Sequence, residues 1–167
     1  MAVTTSGRAT LTLPTDEQIL ITREFDAARH LVYKAWTTPE LVKRWWHANR
    51  GKVTAVEIDL RVGGTWRYVM VADDGMEIGF HGEYREIVPD ERIVSTEIYE
   101  GLPEGVSEEA GATVNTATFT EANGRTTVTL LIQATSKISR DAIIDSGMEA
   151  GLQDALDLLE QTANSLR

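Results

Sequence analysis

The stretch SRDAIIDSGMEAGLQDALDLLEQTANSL, Ser139 to Leu166, decides the fold. Within it Ile144, Met148, Leu152, Ala155, Leu159 and Ala163 recur every three or four residues, the spacing of one face of an α-helix. Asp141, Asp145, Glu149, Asp154, Asp157 and Glu160 fall off that stripe. Ser139 is placed to cap the helix, with Asp141 in the first turn, where the helix dipole favours an anion. Gly147 and Gly151 lie inside it, each at a cost of about 1 kcal/mol relative to alanine. Either a neighbouring backbone comes close at these points or the missing side chains leave a hollow beside Met148, and the two are compatible. A helix with one apolar face needs a large apolar partner, and the upstream strands can supply it.

Leu11 and Leu13 alternate with threonines before Pro14, and Ile19, Ile21 and Phe25 share one phase of a firmer strand. Leu31, Val32, Ala35 and Trp36 then suit a short amphipathic helix within Ala27 to Trp36. Thr38, Pro39 and Glu40 start a second one, with Leu41, Val42, Trp45 and Trp46 on its apolar side and Gly51 at its end. From Val53 the period becomes two. Val56, Ile58 and Leu60 alternate with Glu57 and Asp59; after a Gly63-Gly64 turn, Trp66, Tyr68 and Met70 alternate with Arg67 and Val69. Asp73-Asp74-Gly75 turns the chain into Ile78, Phe80, Gly82 and Tyr84, opposite in phase to Glu77, His81, Glu83 and Arg85. Pro89-Asp90 leads into a strand from Arg92 to Glu100. The segment Gly101 to Ala112 reads as a long loop of the length that often serves as a lid. A hairpin, Val114 to Thr120 and Thr126 to Ala134 around Asn123-Gly124, precedes the long helix. The order is strand, two short helices, about six antiparallel strands and a terminal helix. That makes the chain α+β, most economically a sheet curled around the helix with space left at its mouth.

The 167 residues fit one domain, large enough to bury roughly 70% of its unfolded surface. Absence of cysteine excludes disulfides and thiolate chemistry. The net charge of −10 and the absence of a Lys/Arg cluster argue against nucleic acid and anionic lipid surfaces as partners. No run has the length of a signal-peptide core or a membrane span, so no membrane insertion and a cytoplasmic location are expected.

Several strings stand together: Ile21-Thr22-Arg23-Glu24-Phe25-Asp26-Ala27, Ala35-Trp36-Thr37, Trp45-Trp46, Asp59-Leu60-Arg61-Val62-Gly63-Gly64, Gly82-Glu83-Tyr84-Arg85-Glu86-Ile87-Val88-Pro89 and Ser146-Gly147-Met148-Glu149-Ala150-Gly151. In this order and spacing the chain resembles the START-like helix-grip (SRPBCC) superfamily. Within it, it is similar to the bacterial branch named after the C-terminal domain of the activator of the heat-shock protein 90 ATPase. The resemblance covers about residues 11 to 165. It implies a curved antiparallel sheet gripping the C-terminal helix, and a cavity used in many members for apolar small molecules. His47-Ala48 departs from the glycine-proline pair that often follows the two tryptophans in this branch. Residues 1–10 are expected to form a disordered tail and 11–167 one helix-grip domain.

Trp36, Trp45, Trp46, Trp66, Tyr68, Phe80, Tyr84 and Tyr99 offer apolar area together with indole and phenol hydrogen bonds, and they could equally be ordinary core. Trp66, Tyr68, Phe80 and Tyr84 share the helix-facing phase, with Gly82 among them making room. Trp45, Trp66, Tyr68, Met70, Phe80, Tyr84, Thr96, Ile98, Met148 and Leu152 are the expected ligand-binding residues. His30, His47 and His81 lack metal-site spacing, and His81 with Glu83, like Glu57 with Asp59, falls on the phase expected to meet solvent. No nucleophile elbow or phosphate loop occurs, so no catalytic residue, metal or cofactor is expected. The leading expectation is a binding protein for a small apolar or aromatic, lipid- or polyketide-like molecule. Two others stand beside it: a cyclase or hydratase, which needs a titratable group pointing inward, and a co-chaperone with a chaperone partner and a role in stress response, as the family's name implies. An exposed edge strand would also allow a homodimer.

Overall fold

The computed structural model describes residues 8–101 and 111–167. Two α-helices, α1 (Arg29–Thr37) and α2 (Pro39–Val42), follow strands β1 (Thr10–Thr12) and β2 (Gln18–Phe25). Six further strands come next: β3 (Gly51–Ile58), β4 (Thr65–Ala72), β5 (Glu77–Val88), β6 (Arg92–Tyr99), β7 (Thr113–Ala122) and β8 (Arg125–Gln133). Helices α3 (Lys137–Asp145) and α4 (Met148–Asn164) end the chain. The strands form one antiparallel sheet in the order β1-β2-β8-β7-β6-β5-β4-β3. Each of β3 to β8 pairs with its neighbour in sequence, and β2 returns to β8, with Ile21 opposite Leu130 and Phe25 opposite Thr126. Bulges at Val53/Ala55 and Tyr84/Glu86 add local bend to a sheet that already twists. The result is the α+β helix-grip fold, α4 lying across the concave face.

The main core forms where α1 and α4 meet that face: Ala155, Leu156, Leu159 and Ala163 pack with Phe25, Val32, Phe119 and Val128. A smaller cluster, Ile19, Ile21 and Ile132, takes Ile143, Ile144 and Met148. The expected helical stripe is thus the buried one. Glu160, read as off the stripe, is buried as well, and its partner explains why. Residues 19, 21, 23 and 25 alternate inward, which sends Arg23 into the core with only 1% of its side chain exposed. There Arg23 Nη1 donates to Asp157 Oδ1 at 2.6 Å, Nη2 lies 3.7 Å from Glu160 Oε1, and the guanidinium stacks 5.1 Å from the Phe25 ring centroid. The Asp26 N–H donates to Glu160 Oε2 at 2.8 Å. A buried cation is tolerated because two carboxylates of α4 meet it, and the pairing sets the helix on the sheet.

The terminal helix is two helices. Its start moves to Lys137, because Ser136 rather than Ser139 is the N-cap: the Ser136 Oγ accepts from the Ser139 N–H at 3.0 Å. Asp141 therefore sits beyond the first turn. The chain then breaks at Gly147, which adopts a left-handed φ of 83° open to glycine without strain. Gly151 is helical, and a Cβ built on it meets nothing within 4 Å. Close backbone approach accounts for neither glycine, and at Gly151 the hollow stands. Helix α2 is a single turn, not the longer helix expected; Trp45 and Trp46 lie in the turns after it, and Ala48 and Asn49 take positive φ values of 53° and 60°. Ala9 belongs to the ordered chain and not to the expected tail: its N–H donates to Gln153 Oε1 and its carbonyl accepts from Gln153 Nε2, at 3.0 and 2.8 Å. Thr10, also placed in that tail, begins β1; residues 1–7 of it, and most of the expected loop, residues 102–110, lie outside the described residues.

Candidate functional site

Between α4 and the concave face lies a cavity of about 450 Å³. Its ceiling is the α4 segment Met148, Gly151, Leu152, Ala155 and Leu156, and its floor is β4 to β8. One wall is the α1–α2 region with Trp36, Trp45 and Trp46. Alternation brings Trp66, Tyr68 and Met70 of β4 and Ile78, Phe80 and Tyr84 of β5 to the same side. Trp46 meets Tyr68 and Phe80 edge-on at 5.5 and 6.0 Å, Trp66 tilts against Tyr68 at 4.9 Å, and Tyr99 lies 5.1 Å from Phe80. Trp45 Nε1 donates to the Ala35 carbonyl at 2.9 Å, so this tryptophan is held as wall.

Gly82 does a different job from the one expected of it. A Cβ there would collide with the Thr96 carbonyl and the Trp66 indole nitrogen. The bare backbone lets Trp66, its cross-strand partner, lie over it and donate from Nε1 to the Thr96 carbonyl at 3.2 Å. Gly82 tightens the floor instead of enlarging the hollow.

Of the ten residues expected to bind a ligand, Trp45, Trp66, Tyr68, Met70, Phe80, Tyr84, Met148 and Leu152 line the cavity. Thr96 and Ile98 do not. Antiparallel pairing sets Tyr99 opposite Phe80, Ile98 opposite His81 and Tyr84 opposite Ser95, so the inward residues of β6 are Ile93, Ser95 and Glu97. Tyr99, already among the candidate aromatics, shares their phase and was the signal for them. Thr96 Oγ1 instead accepts from the Glu83 N–H at 2.9 Å on the other side of the strand.

Glu97 is the residue that matters most among those the pattern missed. Among the described residues it is the single acidic side chain in the lining, and Asn115 Nδ2 donates to its Oε2 at 3.2 Å. Burial pushes its pKa up to about 7, against the opposing pull of the Asn115 hydrogen bond. Part of its surface stays accessible, and because Glu97 lines the cavity that access is from the hollow. Burial also raises the Tyr68 and Tyr84 hydroxyls, Tyr68 well above the ordinary tyrosine value with added repulsion from Tyr84 and Glu97, so both are neutral phenols at any physiological pH. Asn115 Oδ1 and Thr113 Oγ1 are buried without a partner among the described residues. Among the described residues, a largely apolar chamber thus holds one carboxyl and two phenols, with His47 and Arg50 also in its lining.

The outer face is ordinary by contrast. Arg67 forks onto Glu100 at 2.9 and 2.8 Å, and His81 Nδ1 lies 2.9 Å from Glu100 Oε2. These bonds, Arg67 first, hold the Glu100 carboxyl down at about 2. Asp59 pairs with exposed Arg61. Among the described residues no group of three or more His, Asp or Glu is placed to hold a metal ion.

The profile of one family, described as Activator of Hsp90 ATPase homolog 1-like protein, matches residues 26–164. The chain belongs to that family. Solved structures agree on the fold. A Rhodobacter sphaeroides protein superposes with a TM-score of 0.85 at 21% identity, over 95% of this chain and 99% of its own. A Staphylococcus epidermidis protein gives 0.77 at 25% identity, over 95% of each chain. The AHSA1-like protein from Aeromonas hydrophila gives 0.63 at 21%, over 88% and 93%. No curated protein matches significantly. Among the described residues, no helix of this AHSA1-like protein is long and apolar enough to cross a membrane.

Proposed function

We propose that this AHSA1-like protein binds a small apolar or aromatic molecule in the chamber between α4 and the sheet. One observation carries the reading: a hollow of about 450 Å³ that the fold leaves unfilled at Gly151 and walls with tryptophan, tyrosine and phenylalanine. Ligand pockets fall at roughly 300–1,000 Å³ and pair apolar walls with a few placed polar groups. Interiors without a ligand to hold pack to crystal density, so a void of this size is a standing cost in lost dispersion contacts. An apolar occupant restores them.

The test uses the uncharged dye N-phenylnaphthylamine, whose fluorescence rises in apolar surroundings. One-to-one binding is expected, and Gly151→Phe, which builds a ring into the open space, should abolish it in a folded protein. Binding unaffected by that substitution would refute the reading. Native mass spectrometry on protein purified from its own host, looking for a retained small molecule, is the complementary measurement.

Glu97 favours a second reading, proton-transfer chemistry of the cyclase or hydratase type, since a carboxyl with a pKa of about 7 is suited to take or give a proton near neutrality. The co-chaperone reading draws support from the family match alone. Failure to change the ATPase rate of a heat-shock protein 90 homologue would remove it.

A further inference from the structure

We propose that the occupant of this cavity carries a cationic nitrogen on its apolar body, seated against the Glu97 carboxylate among the surrounding aromatic rings. This rests on the binding reading above and names the ligand class for it. The argument begins with what Glu97 lacks. A carboxylate taken out of water normally has several donors or a counter-ion. Here, among the described residues, it has one hydrogen bond, from the Asn115 amide, and no salt bridge. Among the described residues, the other titratable and charged groups facing the same hollow are Tyr68 on β4, Tyr84 on β5, and His47 and Arg50 at the turn before β3. Neither tyrosine hydrogen-bonds to Glu97. Arg50 is engaged elsewhere, donating to Asp154 Oδ2 and the Ala48 carbonyl, each at 2.8 Å. Helix α4 adds no charged side chain to the lining.

This end of the chamber is short of donors. Asn115, whose amide nitrogen is spent on Glu97, lines the hollow and leaves its buried Oδ1 without a donor among the described residues. A ligand offering only acceptors leaves that shortage in place, whereas an ammonium brings three N–H donors and the charge that keeps Glu97 ionised. The rings of Trp46, Tyr68 and Phe80 line the same hollow as Glu97, and aromatic walls favour organic cations. The net charge of −10 draws cations toward the protein, while a carboxylate ligand would meet Glu97 as a like charge.

The experiment displaces N-phenylnaphthylamine with three probes of one ring and three head groups: naphthylethylamine, naphthylethanol and naphthylacetate. At pH 8 the amine should bind about ten-fold or more tighter than the alcohol, the increment of a hydrogen bond to a charged group, with the acid weakest. Glu97→Gln should bring amine and alcohol level. In the wild type the advantage of the amine should shrink toward nothing as the pH falls below 7 and Glu97 takes up its proton. That arm stands alone if the glutamine variant does not fold; in a folded variant the pH dependence of the amine's advantage should disappear. Equal binding of amine and alcohol, tightest binding of the acid, or an amine preference that survives Glu97→Gln would overturn the inference and leave the cavity reading intact. If the dye and all three probes fail to bind, the cavity reading falls and the inference with it.

Discussion

Replacing Gly151 by alanine should make the protein more stable. The residue lies in the first turns of α4 with ordinary helical φ, and the added Cβ meets nothing within 4 Å, so there is no steric cost. Glycine in a helix interior is worse than alanine by about 0.8–1 kcal/mol. The new methyl also covers part of the cavity wall, a gain below the ~0.8 kcal/mol of a fully buried methylene because Gly151 is half-buried. Together these give about 1 kcal/mol, or a rise in Tm of about 2–4 °C for a chain of this size. Gly147→Ala is the built-in control. It too meets open space, but at φ 83° a Cβ is strained, so this change should cost about 1 kcal/mol. Urea unfolding followed by circular dichroism reads both. Opposite signs at two glycines four residues apart are the expected outcome. If Gly151→Ala destabilises by 1 kcal/mol or more, some element touches α4 there, and the hollow on which the functional reading depends is not present.

Three further outcomes follow from the charged groups. Glu97 has a folded pKa of about 7 against an ordinary value of 4.5, so between those values the folded state holds a proton that the unfolded state has lost. Stability therefore falls as pH rises from 4.5 to 7, by about 3 kcal/mol for a rise of that size, reduced to roughly 2 by solvent reaching the cavity. Glu97→Gln should accordingly stabilise the protein by about 2 kcal/mol at pH 8 and by almost nothing at pH 4, as read by denaturant titration at both. Arg23→Met should cost about 3–5 kcal/mol, because it takes the cation away from the buried Glu160 carboxylate; Asp157→Asn, at a side chain 37% exposed, should cost far less, and equal losses in thermal melts would contradict the assigned geometry. Glu100 is held at about 2 by Arg67 and His81, so its contribution is present above its ordinary pKa and is lost as pH falls toward 2. Since Arg67 is 43% exposed, Glu100→Gln should cost under about 1 kcal/mol at pH 7 and nothing at pH 2.

Much of the site was legible because most strands have one clearly apolar phase. In β4 and β5 the large side chains Trp66, Tyr68, Met70, Ile78, Phe80 and Tyr84 all fall on one phase and charged residues dominate the other, so alternation alone sent them to the cavity. Strand β6 has no such contrast. Val94, Thr96 and Ile98 oppose Ile93, Ser95, Glu97 and Tyr99, and each phase is part apolar and part polar; only the register against β5 decides between them. The opposite phase puts Thr96 and Ile98 in place of Ser95 and Glu97, and so leaves out the one carboxyl of the lining among the described residues. Arg23 was hidden in a different way: it shares the phase of Ile19, Ile21 and Phe25, and its charge is compatible with that phase only because Asp157 and Glu160 arrive from α4.

By itself the sequence determined the element types, their order, the antiparallel sheet and the apolar stripe of the final helix, because these follow from local periodicity and turn chemistry. Tertiary structure alone decided that the two helix glycines do opposite things, one turning the chain and one leaving space, and that a glutamate faces that space. The reason is physical: a void and a buried charge are properties of what surrounds a residue, and those surroundings are assembled from strands and helices far apart in the chain.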